Sequence, residues 1–472
     1  MRARSTILLL MSLPFVSGGC ATGTPEATDP PVTERTATER TVTVAHLPVA
    51  SEVAQPPQSS TGATDPVARL QERIDAGEVT LRFDPQHGYL PALLDALDIP
   101  VASQNLVFSR TSLQTDRIAP WSPRALYYND EVYVGSVVES TFLEIASIDP
   151  ELGAIFYTLP QEASEHPVFE HETTTCLMCH DSRTTTSGVN GLIMLSVLTD
   201  RNGRLVTGLQ EGPTTDRTPL SERWGGWYVT GTHASMTHSG NTMAPLLSHE
   251  VSDTRRYLSE FDLTSGGNVT DLTGRFDLEP YLTEHSDIVS LMVLTHQVQV
   301  HNLITAAAQA TQDALRDQDA ALRSSGREAP EDGLLPTTRI RIEAAAERLV
   351  RTMLFAREAP LTGPVRGTSD FSTEFMSRGP SDSRGRSLRD LDLETRLMRY
   401  PLSFLIYSEA FAALPEITKG TAYRQIWKVL QSAAEGDEFS HLSPSDRSAI
   451  LEILEETLPE FLEMRAGPHT GG

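Results

Sequence analysis

The segment Ile288-Val289-Ser290-Leu291-Met292-Val293-Leu294 decides how the chain divides. It lies near the start of a helical pattern, from His285 to about Leu315, and it is apolar almost all round. This pattern predicts that the first half of the helix is buried. Short β-rich runs precede the segment and helical patterns follow it. We therefore expect an α+β fold, in which a β-rich region (67–275) packs on a mostly helical region (276–466).

The β-rich region contains several runs of β-branched and aromatic residues, which are typical of strands. A hairpin is also expected there, because Asp200-Arg201-Asn202-Gly203 contains an Asn-Gly pair typical of a tight turn. The predicted strands are Glu131–Val134, Thr141–Ile145, Leu192–Thr199, Leu205–Leu209 and Trp227–Thr230.

The helical region should contain four further helices, and the last has the clearest start signal. Ser443 is suited to be its N-cap, Pro444 to be its first residue, and Asp446 can hydrogen-bond back to the cap. The predicted helices are Thr338–Glu358, Ser403–Ala413, Thr421–Ala434 and Pro444–Met464.

The N-terminus has the pattern of a targeting segment. Arg2 and Arg4 are followed by a ten-residue apolar stretch, Ile7–Val16, which is too short to cross a bilayer as a helix. We therefore expect a signal peptide over residues 1–19. The Thr- and Pro-rich segment up to residue 66 contains no aromatic residue, and we expect it to be a disordered tether.

The residues Ser17-Gly18-Gly19-Cys20 resemble the lipobox of bacterial lipoproteins, although the position three before the cysteine is usually leucine. The resemblance implies that Cys20 is lipidated and that its acyl chains tether the protein to a membrane. Ala21 then favours the outer membrane by the sorting rule of that family. An ordinary secretory signal, cleaved near Cys20, is the alternative. Either interpretation places the body outside the cytoplasm.

Composition excludes several classes of partner and architecture. The chain has 38 Lys and Arg residues against 63 Asp and Glu residues, a net charge of -25, so nucleic acid and anionic lipid surfaces are not expected partners. Three cysteines are too few for a disulfide framework. Neither a Gly-rich phosphate loop, nor a GxSxG elbow, nor an HExxH helix occurs in the sequence, so nucleotide binding and hydrolysis have no support.

Cys176-Leu177-Met178-Cys179-His180 is a CxxCH motif. In such a motif each thiol can add across a haem vinyl group, and the histidine that follows can bind the iron. A CxxC redox pair is an alternative, but it gives no reason for the adjacent histidine. Half of a zinc site is another alternative, and it would need further histidine ligands because no other cysteine pair exists.

These five residues resemble the attachment site of c-type cytochromes. The resemblance implies one covalent haem c, bound through Cys176 and Cys179, with His180 as the proximal iron ligand. It makes the β-rich region the haem-bearing one. Because the body is far larger than a compact single-haem domain, the remaining chain should form a large housing for the haem or have a separate function.

Two segments contain candidates for the second axial position of the iron. The first is the loop Gly231–Gly240, which contains His233 and His238. The second is the long helix, where His296 lies on an apolar surface and His301 points in another direction. We rank the loop ahead, because a loop can adjust to a planar cofactor. A histidine on such a helix can instead be a core residue with a hydrogen bond.

Arginines near the motif and in the helical region are candidates for contacts with haem propionates. Arg183 lies three residues after His180, and an Arg-rich stretch occupies residues 378–399. In that stretch, salt bridges with the interleaved aspartates are the favoured interpretation.

Together these patterns predict a membrane-tethered periplasmic c-type cytochrome with one haem, which exchanges single electrons with redox partner proteins. A peroxidase-like haem enzyme is the alternative, in which His233 and His238 flank the iron without binding it. A haem-based sensor or scaffold is a third class.

Overall fold

The computed structural model describes residues 62–173, 176, 180, 186–206, 212–244, 262, 266–331, 333–432 and 438–464. The predicted signal peptide, Cys20 and nearly all of the predicted tether lie outside these residues, as do Cys179 and Arg183.

Two short helices open the described chain, α1 at Pro66–Asp75 and α2 at Leu90–Ala96. The side chain of Asp65 caps α1 by accepting hydrogen bonds from the backbone N–H groups of Val67 and Ala68. Its second carboxylate oxygen accepts a hydrogen bond from the hydroxyl of Tyr157, at 2.7 Å. The start of α1 is therefore fixed to the sheet that follows.

Six antiparallel strands form one sheet in chain order. One face, with Tyr127, Val134 and Ile145, packs in a cluster with α1 and α2. The other face, with Tyr133 and Phe156, belongs to the main core of the protein. The strands are β1 Asn105–Val107, β2 Arg124–Tyr128, β3 Val132–Ser136, β4 Phe142–Asp149, β5 Gly153–Pro160 and β6 Glu170–His171.

The predicted hairpin is seen as far as Val206, whose backbone N–H donates to the carbonyl of Leu198 at 2.9 Å, and residues 207–209 of its second strand lie outside the described residues. The backbone N–H of Gly203 donates to the carbonyl of Asp200 at 3.0 Å, and a single bridge joins Thr199 to Leu205. The earlier part of the first strand pairs elsewhere, because β7 (Leu195–Ser196) pairs with β8 (Gly212–Pro213).

The predicted strand Trp227–Thr230 is not a regular strand. Its two ends pair with different partners: Trp227 bridges to Val107 in β1, whereas Thr230 bridges to Asp287, just before the long helix. A chain that crosses from one partner to another within four residues cannot form a continuous ladder.

The long helix is α3, Ile288–Ser325, with Asp287 as its N-cap and Gly326 in the left-handed conformation at its C-terminal end. Its first half is buried, as the apolar pattern predicts. The helix runs ten residues beyond the predicted end. The prediction stopped early because the apolar pattern fades in the largely polar last three turns. The remaining helices are α4 Pro336–Met353, α5 Phe371–Ser377, α6 Glu409–Ala412, α7 Glu416–Gln431, α8 Pro444–Thr457 and α9 Pro459–Met464.

Two predicted helices are divided in the structure. Ser403–Ala413 consists of a 3₁₀ turn, Phe404–Tyr407, and α6, with a new N-cap at Ser408 between them. The predicted helix Pro444–Met464 is divided into α8 and α9 before Pro459, because proline cannot donate the hydrogen bond that a continuous helix requires. The predicted capping box of Ser443 and Asp446 is confirmed.

Helix α3 joins the two predicted regions through one hydrophobic core. That core contains Phe156 from the sheet and Leu349 from α4, together with the buried half of α3. Among the helices of the described ranges, none combines the length and the apolar character that a membrane span requires.

Candidate functional site

A backbone hydrogen bond joins the two described residues of the CxxCH motif. The backbone N–H of His180 donates to the carbonyl of Cys176 at 3.1 Å, the spacing of an α-helical hydrogen bond. Cys176 is half-buried and packs against the main core.

The ring of His180 is oriented by a hydrogen bond from Nδ1 to the backbone carbonyl oxygen of Gly191, at 2.8 Å. A carbonyl oxygen can only accept, so Nδ1 carries the proton. In neutral imidazole this leaves the lone pair on Nε2. The backbone N–H of Gly191 in turn donates to the carbonyl of His180 at 2.9 Å.

His180 lies against the sheet in a partly apolar environment. Its ring centroid is 4.7 Å from that of Phe156 on β5. Burial lowers the pKa of His180, and the nearby charge of Arg124 acts in the same direction, while the hydrogen bond to Gly191 opposes them. The ring is therefore neutral at neutral pH, which is the form that binds a metal.

Asn302 on α3 holds the segment that contains Gly191. Its side-chain oxygen accepts from the backbone N–H of Leu192 at 2.8 Å, and its side-chain nitrogen donates to the carbonyl of Leu192 at 2.7 Å. Gly191 lies so close that a Cβ atom there would be 2.4 Å from the side-chain oxygen of Asn302. The sequence analysis identified neither Gly191 nor Asn302 as a site residue. An asparagine on a helix predicted to be buried was the one signal that could have pointed to Asn302.

The loop histidines form a buried pair. The rings of His233 and His238 have centroids 4.8 Å apart, and the ring of Trp224 lies 5.8 Å from that of His238. Both ring nitrogens of His233 are buried and lack a hydrogen-bond partner in the described ranges. Burial, with a contribution from His233, lowers the pKa of His238 to about 3.

A neighbour of the loop pair and a neighbour of the Gly191 carbonyl each bind α3, at different levels. Trp224, beside the loop pair, donates from its indole nitrogen to Thr295 at 3.3 Å. Leu192, beside the Gly191 carbonyl, is bound to Asn302. These two α3 residues are seven positions apart, which is about two turns or roughly 10 Å along the helix axis.

His296 has a different environment from the one predicted for an iron ligand. Its Nδ1 lies 3.2 Å from a carboxylate oxygen of Asp216, and its Nε2 lies 2.9 Å from the hydroxyl oxygen of Ser403. Its ring also stacks on Phe355, with the centroids 4.0 Å apart. Both ring nitrogens are engaged, so in this arrangement neither is open to a metal ion, and His296 has the contacts of a hydrogen-bonded core histidine.

His301 points in a different direction from His296, as predicted, and it faces the sheet. Its Nδ1 is 2.9 Å from the hydroxyl of Tyr133, and its Nε2 is buried with no hydrogen-bond partner in the described chain. Tyr133, Ala146 and Phe156 are paired across three strands. His301 and His180 therefore lie over the same cross-strand row of the sheet, a relationship that the sequence did not reveal.

The Arg-rich stretch makes ion pairs, as favoured from the sequence, although most of the carboxylates come from other segments. Only Asp382, the partner of Arg386, belongs to the stretch itself. The pairs are Arg378–Asp98, Arg384–Glu452, Arg386–Asp382, Arg389–Asp130 and Arg396–Asp446.

Comparisons of the chain with protein family models, curated proteins and solved structures found no match. Outside the gaps in the description, no cluster of three or more His, Cys, Asp or Glu side chains is arranged to hold a metal ion.

Proposed function

We propose that this protein is a c-type cytochrome with one haem, attached through Cys176 and Cys179, with His180 as the proximal iron ligand. It works outside the cytoplasm and is tethered by a lipid on Cys20, with the outer membrane favoured. The spacing of CxxCH and the export signal support this proposal.

The hydrogen bond from His180 Nδ1 to the carbonyl of Gly191 is the observation that carries the proposal. A histidine that binds a metal through Nε2 usually donates its other ring N–H to a carbonyl or carboxylate, which fixes its tautomer and orientation. The donor atoms of the motif thus fit a haem. A histidine in a zinc or redox site would not need to follow the second cysteine directly.

The chain would hold the proximal side of the haem with little freedom of movement. Gly191 orients the imidazole, Asn302 fixes the segment around Gly191, and Phe156 limits the access of water. Bound haem supplies an iron that exchanges one electron, and a rigid surrounding with low polarity suits that exchange. The strongly acidic chain would then favour redox partner proteins with basic surfaces.

The spectrum of the purified protein tests the proposal. A covalently bound haem with two protein ligands should be low-spin in both oxidation states and should not bind carbon monoxide when reduced. The absence of covalent haem would contradict the proposal as a whole. Haem that is present but binds carbon monoxide rapidly would contradict the electron-carrier function.

A peroxidase-like function is the second candidate, and the pair His233 and His238 favours it. Both side chains are buried, and the lowered pKa of His238 keeps its ring in the neutral form that can accept a proton at neutral pH. Peroxide turnover that is lost in His233→Ala or His238→Ala, but kept in His87→Ala, would support this candidate. No turnover over a range of peroxides and electron donors would contradict it.

A further inference from the structure

A cleft of about 390 Å³ opens beside the segment that orients His180. One wall includes Leu192, which follows Gly191 directly, and another is the face of α3 around Asn302. The end of α4 and the segment 213–217 complete it. Four arginines line this cleft, which we call the arginine cleft: Arg217, Arg348, Arg351 and Arg357.

The charge of the arginine cleft is opposite to that of the chain. Among the described lining residues Glu438 is the only acidic one, and it pairs with both Arg351 and Arg357. Arg217 and Arg348 have no carboxylate partner in the described part of the chain. The described lining of the cleft thus carries an excess of positive charge in a protein whose net charge is -25.

Hydrogen bonds to the end of α4 and the segment after it hold Arg217 in place, and the backbone at Arg357 is strained. Arg217 donates from Nε to the carbonyl of Ala356 at 3.1 Å and from an Nη atom to the hydroxyl of Thr352 at 3.4 Å. Phe355 and Arg357 both have left-handed backbone conformations, with φ of 54° and 66°. Such conformations are costly for these residue types and cluster at functional sites.

The remaining lining suits a ligand with an apolar body. Leu192, Met194 and Val298 contribute apolar surface to the cleft. Thr214 is only 4% exposed, and its hydroxyl has no hydrogen-bond partner among the described residues. A buried hydroxyl without a partner is unfavourable, and a ligand that bonds to it would remove that cost.

We propose that the arginine cleft binds a carboxylate that belongs to an organic group with apolar surface. Planar guanidinium groups match the two oxygens of a carboxylate, and the apolar wall would contact the rest of the molecule. The carboxylate has two possible sources. One is a diffusible organic acid, which does not depend on the proposed function. The other is a propionate of the bound haem, which rests on that function.

Titration calorimetry on the full-length protein as purified tests the diffusible source. Acetate, succinate and phthalate would each be compared with the corresponding uncharged amide. We expect binding that grows stronger from acetate to phthalate, is absent for the amides, and is weakened at least tenfold in Arg217→Gln/Arg348→Gln. The exposed pair Arg316→Gln/Arg341→Gln is the matched control, and thermal unfolding verifies that both variants fold.

The midpoint potential of the same variants tests the haem source, without any added acid. Removing two positive charges beside a propionate favours the ferric state, so the potential of Arg217→Gln/Arg348→Gln should fall relative to the control pair. A fall without acid binding would identify the propionate as the occupant. If the protein binds none of the acids and the potential of Arg217→Gln/Arg348→Gln equals that of the control pair, the inference is overturned. The presence or absence of covalent haem decides the proposed function separately.

Discussion

The imidazole of His180 and the backbone carbonyl of Gly191 are joined by a hydrogen bond of 2.8 Å. The carbonyl belongs to a segment that α3 holds through Asn302. The orientation of His180 therefore depends on a helix more than 100 residues further along the chain. Any change that displaces Gly191 should therefore also change the orientation of the His180 ring.

Substitution of Gly191 by alanine tests this dependence. The new Cβ would lie 2.4 Å from the side-chain oxygen of Asn302 and 3.0 Å from the Cβ of Thr186. Asn302 cannot yield without losing its bonds to Leu192, so we expect Gly191→Ala to lower the free energy of unfolding by about 1–3 kcal/mol. Gly212→Ala is the control, because no atom lies within 4 Å of its added Cβ. Equal urea midpoints for the two variants would contradict the packing described here.

The stability of the protein should fall in acid partly because of His301. Burial, with a smaller effect of His296, lowers the pKa of His301 from 6.5 to about 3. The unfolded chain then binds one more proton than the folded chain between these values, so the free energy of unfolding decreases as the pH falls from about 6.5 to about 3. One proton corresponds to at most about 1.4 kcal/mol per pH unit.

In His301→Gln the free energy of unfolding should depend less steeply on pH, by up to about 1.4 kcal/mol per pH unit. Urea unfolding at pH 7, 6 and 5 measures the slope, and His166→Gln at the surface is the control. The same slope in His301→Gln and in the unchanged protein would show that His301 is not buried in its neutral form.

The three cysteines are expected to have two separate functions. Cys176→Ala/Cys179→Ala should leave no covalent haem, whereas Cys20→Ser should keep the haem and release the protein from the membrane fraction. Haem staining of peptide fragments, together with membrane fractionation, measures both effects. Unchanged haem staining in the double variant would exclude the proposed attachment site.

Asp216, His296 and Ser403 form a hydrogen-bonded chain that resembles a hydrolase triad. Ser403 has no exposed surface, however, and a nucleophilic serine must be accessible to its substrate. We therefore expect that a fluorophosphonate probe does not label the folded protein. Labelling that disappears in Ser403→Ala would contradict this structural role.

The sequence alone determined the features that depend on neighbouring residues. The apolar segment Ile288–Leu294 predicted a buried helix, which α3 confirms. The haem site indicated by the spacing of Cys176, Cys179 and His180 stays a prediction. The capping box at Ser443 was also visible, since all of its partners lie within one helical turn. The predicted strands Glu131–Val134 and Thr141–Ile145 begin within one residue of β3 and β4, because β-branched and aromatic residues leave a local signal, but they end two and four residues early.

Only the tertiary structure decided the contacts between distant segments. The partners of Trp227 and Thr230, the engagement of both nitrogens of His296, and the bond of Asn302 to Leu192 each join residues that are far apart in the chain. The side chain of a buried histidine or asparagine has the same local pattern whether it binds a cofactor or a backbone group. Its role follows from which polar atoms the fold brings within about 3 Å of it, because a buried polar atom must find a partner there.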